Sequence, residues 1–432
     1  LIPKYVLLII TDMEIYLDYN ATTPLEPSVI SKISQSMEEL WGNPSSSYGF
    51  GIRAKRNIEE ARKQLADMIG AVPEDIIFTS GGTEANNIVI FGILNYYDEW
   101  LKCNPESEQY GKKPHIITTN IEHPAVILPL RYLAEKKEAI ELSIVPVNTT
   151  GSVDPRDILC AVRPNTSLIT VMLANNETGV ILPVAEISRG LEEINLKRRE
   201  EKKIKILYHT DAAQAIGKIS VHAPTLQVDY LTIVGHKFYG PRIGCLYARG
   251  LMHQDVPLYP VMFGGGQERG YRPGTENTPT IVGLGEAARL VCENLTTYKS
   301  HMETIRDYLE KKLKEAFGED RVIFNCSKDV QRLPNTCNVS LVGEGLVGHV
   351  VLSKATNVYA SVGAACHAQN KPSGIVVVRS KGTSLSRPRF DFRTVMGFIV
   401  GPSDLCPFSA VVIFGKVNAC THSIPPASLP PR

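Results

Sequence analysis

The chain has 432 residues, of which 43% are hydrophobic and 21% charged, a composition typical of a globular protein rather than a disordered chain, a collagen or a coiled coil. Its 46 Lys and Arg balance 45 Asp and Glu, so there is no basic excess of the kind that favours non-specific nucleic-acid binding. The nine cysteines form no CxxC pair, which argues against a zinc ribbon, and their odd number favours reduced thiols in the cytosol.

Before the first regular elements, residues 5–10 form an apolar run that is too short to span a bilayer and lacks the cleavage site of a secretory signal. This run predicts a strand or part of a leader, and the chain begins with Leu1 rather than Met. We therefore expect residues 1–15 to form a divergent leader, and we expect no membrane-spanning segment.

From residue 16 to about residue 324, short β-rich runs alternate with helical patterns, which predicts βαβ units around a mainly parallel sheet. Residues 56–70 predict a helix because apolar residues recur every three or four positions and Gly70 can end it. Residues 302–317 predict another amphipathic helix. The predicted strands are 76–79, 116–119, 168–173, 204–209, 230–234 and 244–247.

The strand at 76–79 is followed by Gly81, Gly82 and Thr83 and then by a helical pattern. Glycines let backbone N–H groups approach an anion, and a helix N-terminus adds partial positive charge, so this loop predicts a phosphate cup. The alternative is an ordinary glycine turn that caps a helix. The loop matches neither GxGxxG nor the P-loop pattern, so it carries no nucleotide fingerprint.

Two further strand ends carry groups that suit a heteroaromatic ring. Asp211 could pair with a protonated ring nitrogen and Gln214 could bond a ring oxygen, although an aspartate here could simply cap a helix. Lys237 follows the apolar strand at 230–234, where desolvation would lower the pKa of its amine and suit it to Schiff-base chemistry. The alternative for Lys237 is an ordinary surface lysine.

Three other residues complete the candidates. His123 could stack on a ring and move protons near neutral pH, although a lone histidine after a strand is more often structural. Asn176 adds a polar group after the strand at 168–173. Cys366 lies among small residues beside a histidine, which suits a nucleophile, and the alternative is an inert buried thiol.

A phosphate cup, a carboxylate for a ring nitrogen, a stacking histidine and a Schiff-base lysine are together the parts that bind pyridoxal phosphate. We predict no metal site. With these motifs in this order, the chain resembles the class V, fold-type-I pyridoxal-phosphate enzymes of the cysteine desulfurase group, over about residues 16–367. Within this group it is most similar to the selenocysteine lyase branch. The matching stretches are LDYNATTP (17–24), FTSGGTEANN (78–87), EHPAV (122–126), MLANNETG (172–179), HTDAAQAIGK (209–218), GHKFYGP (235–241), GGGQERGYRPGT (264–275) and GAACH (363–367).

The resemblance implies an α/β fold of the type I class of pyridoxal-phosphate-dependent transferases, and a homodimer. A large cofactor-binding domain at 16–275 would contain a mainly parallel seven-stranded sheet flanked by helices. A smaller α+β C-terminal domain would occupy 276–367 and be truncated. We expect residues 368–432, which are rich in Pro and contain no Glu, to form a divergent and poorly ordered tail.

The resemblance also implies roles for the candidate residues. Lys237 would hold pyridoxal 5'-phosphate as a Schiff base and act as the base, His123 would stack on the ring and assist proton transfer, and Cys366 would be the active-site cysteine. The other implied cofactor-binding residues are Gly82, Thr83 and His236 at the phosphate, Asp211, Gln214 and Asn176 at the ring, and Thr275 at the phosphate site of the other subunit.

The implied activity is conversion of L-selenocysteine to L-alanine with release of selenium, with an acceptor protein as a candidate partner. The chain departs from the pattern of the family at two places that bear on this activity. Val234 stands where desulfurases usually have a phosphate-binding Ser, as in selenocysteine lyases, and the segment Arg-x-Ser-x-Gly-Arg that would clamp the substrate carboxylate is absent after His367. We therefore expect cofactor binding with impaired turnover. The alternatives are a cysteine desulfurase that passes sulfur to an acceptor, and a catalytically inactive variant subunit.

Overall fold

A computed structural model describes residues 5–7, 14–253, 256–327, 329–343, 348–355, 357–362, 394–397 and 414–416. The strands are β1 (Tyr5–Leu7), β2 (Ile15–Tyr16), β3 (Ile76–Thr79), β4 (His115–Thr119), β5 (Glu141–Val145), β6 (Thr166–Thr170), β7 (Leu207–Asp211), β8 (Tyr230–Val234), β9 (Gly244–Ala248), β10 (Val322–Phe324), β11 (Thr336–Leu341), β12 (Val358–Tyr359), β13 (Thr394–Gly397) and β14 (Phe414–Lys416). The α-helices are α1 (Pro27–Glu39), α2 (Gly49–Ile69), α3 (Gly82–Cys103), α4 (Pro124–Arg131), α5 (Pro155–Cys160), α6 (Val184–Glu200), α7 (Ala223–Leu226), α8 (Thr278–Phe317) and α9 (Gly348–Lys354).

The central element is a seven-stranded sheet in the order β3-β9-β8-β7-β6-β4-β5. The pairs β4–β5, β4–β6, β6–β7 and β7–β8 are parallel, and β9 alone runs antiparallel to its neighbours β3 and β8. This confirms the predicted α/β fold with a mainly parallel seven-stranded sheet. The carboxyl ends of six strands therefore meet at one edge, where ligands bind in folds of this kind.

Apart from the edge strand β5, the strands are buried on both faces because helices cover both sides of the sheet. Along β4, Ile116 and Ile117 point to opposite faces and are fully buried in different clusters. One cluster is completed by α2, α6 and α8, and the other by α3 and α4. Each fully buried Ile or Leu side chain contributes about 1.5–3 kcal/mol, so this double burial supplies much of the driving force for the sheet.

The two predicted helices exist, but both begin earlier than expected. α2 starts at Gly49 and ends, as predicted, where Gly70 takes a left-handed conformation with φ +67°. α8 is a single helix of 40 residues, and only its second half shows the predicted amphipathic pattern. In its first half nearly every residue from 281 to 288 is buried, large Ile281 and Leu284 as well as small Ala287 and Ala288, so this stretch has no polar face to reveal an amphipathic pattern.

A smaller unit follows α8. In it β11 pairs antiparallel with β10 and β13, and Val339 and Cys337 of β11 are buried with Leu313 from the end of α8. β12 pairs parallel with β2, which ties this unit to the start of the described chain. The same 40-residue helix therefore contributes to both cores. Within the described ranges, no helix is long and apolar enough to cross a membrane.

Cys366 and nearly all of the predicted tail at 368–432 lie outside the described residues. β13 and β14 are the described parts of that stretch, and β14 pairs antiparallel with β1. The expected absence of a carboxylate-clamping arginine after His367 concerns the same stretch.

Candidate active site

A cavity of about 220 Å³ opens at the carboxyl edge of the large sheet. Eight of the ten predicted site residues line it, namely Gly82, Thr83, His123, Asn176, Asp211, Gln214, His236 and Lys237. They come from loops after β3, β4, β6, β7 and β8, which is why residues far apart in sequence converge. The cavity is a pocket of mixed character, with apolar walls and a few convergent polar groups, as small-molecule sites commonly are.

Lys237 ends a single 3-10 turn, Gly235–Lys237, that follows β8. Its amine donates hydrogen bonds to the backbone oxygens of Asn20, at 2.7 Å, and Ala21, at 2.9 Å. Those two residues belong to the arm before α1, so a segment distant in sequence holds the amine at the cavity wall. A primary amine in this position can attack a carbonyl carbon and can carry protons.

Asp211 is the last residue of β7, and both of its carboxylate oxygens accept hydrogen bonds. Oδ1 accepts from the Ala213 N–H at 3.0 Å, and Oδ2 accepts from the Asn86 side chain at 2.8 Å. These two hydrogen bonds fix the orientation of the carboxylate. Asp211 is therefore oriented as an acceptor for a protonated nitrogen in the cavity.

Gln214 lies one turn beyond Asp211 and is held at both ends of its amide. Its Nε2 donates to the Asn20 backbone oxygen at 3.0 Å, and its Oε1 accepts from the Lys218 amine at 2.7 Å. Lys218 is only 2% exposed, and burial together with the nearby charge of Lys237 lowers its pKa well below the usual value. This pairing keeps the N–H side of the Gln214 amide toward the cavity.

The predicted phosphate cup is the N-terminus of α3, which begins at Gly82 and Thr83 after the extended Gly81. A Cβ on Gly82 would overlap a methyl group of Val234, so only glycine lets this helix start so close to β8. Across the cup, His236 Nδ1 lies 3.1 Å from the Thr22 hydroxyl. Burial and the nearby charge of Lys237 lower the pKa of His236 to about 4. The N–H groups in the first turn of α3, together with a neutral imidazole that can donate one N–H, make this a candidate site for an anion.

His123 is the N-cap of α4, where its Nδ1 accepts the Ala125 N–H at 3.1 Å. An unprotonated Nδ1 fixes the ring orientation and leaves the proton on Nε2. The preceding residue, Glu122, is buried and accepts from the Thr119 hydroxyl and the Met172 N–H through Oε1. Burial raises the pKa of Glu122 to about 8.

Two of the predicted residues do not join this cavity. Thr275 is exposed and does not line it, so any role of Thr275 must be played elsewhere than at this chain's own cavity. Cys366 lies outside the described residues. Asn176 does line the cavity, and its backbone oxygen accepts from the Asn20 side chain at 3.2 Å.

Sequence reasoning assigned no specific role to Glu177 and Ser361, which line the cavity, and missed four further polar residues in or beside the site. Asp18, Asn20 and Asn86 line the cavity, and Lys218 lies behind Gln214. All four fall inside the stretches that carry the family resemblance, but no residue pattern assigned them a role. The signal that was available was the presence of Lys218 four residues after Gln214, which on a helical turn places the two side chains together.

The chain matches the family model described as aminotransferase class-V over residues 15–381. It is 51% identical to a selenocysteine lyase of Rattus norvegicus over 390 residues, which cover 89% of this chain and 90% of the relative. It is 38% identical to the cysteine desulfurase IscS of Dictyoglomus turgidum over 368 residues, 84% of this chain and 85% of that relative. Among solved structures, a NifS-like protein superposes with a TM-score of 0.70 at 34% identity, over 81% of this chain and 88% of that chain.

Proposed function

The chain belongs to the aminotransferase class-V family, and from this premise we propose that it is a selenocysteine lyase, which converts L-selenocysteine to L-alanine with release of selenium. One observation carries the proposal. A lysine, a carboxylate and a helix N-terminus converge on one cavity, in a chain 51% identical to a selenocysteine lyase and 38% identical to a cysteine desulfurase. The family is pyridoxal-phosphate-dependent in general, and the cavity's groups fit that cofactor.

The polar groups of the cavity match the groups of pyridoxal 5'-phosphate one by one. Lys237 offers the amine for covalent attachment, Asp211 offers a carboxylate for the ring nitrogen, and Gln214 offers an N–H for the ring oxygen with Asn176 nearby. Gly82, Thr83 and His236 would hold the phosphate at the N-terminus of α3. When bound, pyridoxal 5'-phosphate supplies an electron sink that stabilises negative charge at the substrate Cα.

The side chains then perform three tasks in the reaction. Asp211, fixed by Asn86 and the Ala213 N–H, keeps a proton on the ring nitrogen and so maintains the sink. The Lys237 amine would take the proton from the substrate Cα. His123 would lie against the ring of the cofactor, and its Nε2–H side could exchange a proton with the reacting groups.

Selenium is favoured over sulfur by the chemistry of the leaving group. A selenol is more acidic than a thiol, so the substrate selenol is largely ionised at neutral pH. To give alanine, the C–Se bond would break with its electron pair left on Cβ, which takes up a proton, while selenium passes to an acceptor as neutral selenium. Cys366 is our candidate for the group that steers the leaving selenium, and an acceptor protein is our candidate for its destination. The alternative of a cysteine desulfurase rests on the lower similarity, 38% identity, to the Dictyoglomus enzyme.

We also propose that the protein works as a homodimer. Thr275 is exposed and does not line its own cavity. Phe263, twelve residues earlier in the chain, is 89% exposed, which is high for a large apolar side chain. Thr275 would contact the phosphate in the other subunit. Sedimentation analysis should show that the wild-type protein is a dimer, and the Thr275→Val variant should bind the cofactor more weakly than wild type. A monomeric wild-type protein, or full cofactor affinity in Thr275→Val, would contradict the proposal.

The activity proposal is tested with the Lys237→Ala variant. Wild-type chain incubated with pyridoxal 5'-phosphate and then reduced with borohydride should carry the cofactor on Lys237, as mapped by mass spectrometry, and should form alanine from selenocysteine. Lys237→Ala should lose covalent attachment and at least about 1000-fold in rate, since covalent attachment and the base are removed together. The control is Lys113→Ala, which removes an exposed lysine beside β4.

Three results discriminate the alternatives. Faster alanine formation from selenocysteine than from cysteine supports the lyase, and the reverse order favours the desulfurase. Labelling of Lys237 without alanine from either substrate would identify a non-catalytic subunit. Absence of labelling at Lys237 would overturn the proposal as a whole.

A further inference from the structure

A line of buried side chains runs from β6 to the carboxylate of Asp211. Thr170 on β6 is the register partner of His209 on β7, and Thr232 on β8 is the register partner of Asp211, so Thr232 is a diagonal neighbour of His209. His209 and Asp211 are two residues apart on one strand and so share a face of the sheet. Thr170, His209 and Thr232 are each 0% exposed. Asn86, the next side chain in the line, is 1% exposed.

The hydrogen bonds along this line are continuous. Thr170 Oγ1 lies 2.8 Å from His209 Nδ1, and His209 Nε2 lies 3.1 Å from Thr232 Oγ1. Thr232 Oγ1 lies 2.7 Å from Asn86 Oδ1, and Asn86 Nδ2 lies 2.8 Å from Asp211 Oδ2. We call Thr170, His209, Thr232 and Asn86 the β7 relay.

The direction of every bond follows from the carboxylate at its end. A carboxylate only accepts, so Asn86 presents its NH₂ to Asp211 and its carbonyl oxygen to Thr232. The single hydroxyl proton of Thr232 is then given to Asn86, and Thr232 must accept from His209. His209 therefore carries its proton on Nε2, and its bare Nδ1 accepts from Thr170.

We propose that His209 is a positioning residue, which acts through Thr232 and Asn86 to aim the Asp211 carboxylate at the ring nitrogen of the cofactor. This inference rests on the proposed function. Burial lowers the pKa of His209 to about 4, so the ring stays neutral and can hold one tautomer at neutral pH. Without the relay, the Asn86 amide loses the partner that fixes which of its ends faces Asp211.

The chain contains a matched control in the same sheet. His115 on β4 is also 0% exposed and also lies between two hydroxyl groups, Thr166 at 2.8 Å and Ser143 at 2.8 Å. Burial, with the nearby charge of Arg163, lowers its pKa to about 4 as well. His115 does not line the cavity. Substitutions at His115 and Thr166 therefore show the effect of changing a buried histidine–hydroxyl pair that is not connected to Asp211.

The first test is the tautomer of His209, read by nitrogen-15 NMR on histidine-labelled apoprotein and assigned by loss of its signals in His209→Gln. A neutral Nε2–H ring at pH 7 is expected. An Nδ1–H ring or a charged ring would overturn the inference. This readout does not depend on cofactor chemistry.

The second test is cofactor affinity in variants that keep side-chain shape. Thr232→Val removes the central hydroxyl and should weaken binding of pyridoxal 5'-phosphate by about tenfold or more, whereas Thr166→Val should stay within about twofold. Thr232→Ser restores the hydroxyl and should restore affinity. Wild-type affinity in Thr232→Val would refute the relay, and an absence of binding by wild type would instead refute the proposed function.

Discussion

At the scale of single residues, the protonation of Glu122, which precedes the site residue His123, affects the free energy of unfolding. Its carboxyl is buried, accepts two hydrogen bonds on Oε1, and leaves Oε2 with no hydrogen-bond partner among the described residues. Burial raises its pKa to about 8, and Asp211 acts in the same direction. The folded protein therefore binds a proton here that the unfolded chain loses above about pH 4.5.

This predicts a pH-dependent stability for Glu122→Gln. Because the folded pKa is raised, the contribution of Glu122 is fully present below about pH 4.5 and is lost as pH rises toward 8, by about 1.4 kcal/mol per pH unit. Between pH 6 and 7.5, the free energy of unfolding of Glu122→Gln should gain about 2 kcal/mol relative to wild type. Urea titrations of both apoproteins measure this, with exposed Glu138→Gln as control; a constant difference would contradict it.

Most site residues could be predicted because each stands at a strand end, where a short sequence window reveals it. Lys237 after β8 and Asp211 at the end of β7 are examples. Asn20 and Asn86 could not be predicted in this way, since their roles depend on partners more than a hundred positions away, such as Lys237 and Asp211. Only folding reveals such contacts.

At the scale of elements, the helices too could be predicted only where a short sequence window carries the signal. The sequence predicts α2 and the second half of α8 from their apolar period, but in the first half of α8 nearly every residue from 281 to 288 is buried, so no polar face reveals the helix. Six of the seven strands of the large sheet were predicted, because they are short β-rich runs buried on both faces. The edge strand β5 was missed, because polar residues interrupt its apolar run and it is only partly buried. The strand predicted at 204–209 lies at Leu207–Asp211, so Asp211 belongs to the ladder itself.

The start of α3 against β8 is a packing constraint that can be tested. A Cβ on Gly82 would overlap Val234, whereas a Cβ on Gly81 would meet nothing within 4 Å, and Gly81 has extended backbone at φ 166°. Gly82→Ala should therefore cost about 1–3 kcal/mol in the free energy of unfolding, and Gly81→Ala much less. Adding Val234→Ala to Gly82→Ala should recover part of the loss, as measured by urea unfolding of the apoprotein. Equal losses in both glycine variants would show that this contact is not limiting.

At the scale of the whole molecule, Asn20 joins three parts of the chain at the cavity. Its backbone oxygen accepts from Lys237 and Gln214 in the large sheet region. Its side chain donates to Thr336 Oγ1 at 3.0 Å and accepts from Asn335 Nδ2 at 2.7 Å in the smaller unit. The position of the Lys237 amine is thus coupled to the packing of β11.

This coupling predicts that a change in the smaller unit loosens the cofactor. Thr336 is 1% exposed, and its hydroxyl accepts a hydrogen bond from the Asn20 side chain. The Thr336→Val variant keeps the shape of the side chain but has no hydroxyl to accept this bond. Leaving a buried donor unpaired costs about 1–3 kcal/mol, so pyridoxal 5'-phosphate should dissociate several-fold faster, or more, from this variant. Ser340→Ala is the matched control, because Ser340 lies on the same strand and its hydroxyl bonds to Asn325 rather than to the cavity arm. Release rates measured by trapping the free cofactor should separate the two variants; identical rates would mean that the smaller unit does not hold Asn20 against the Lys237 amine.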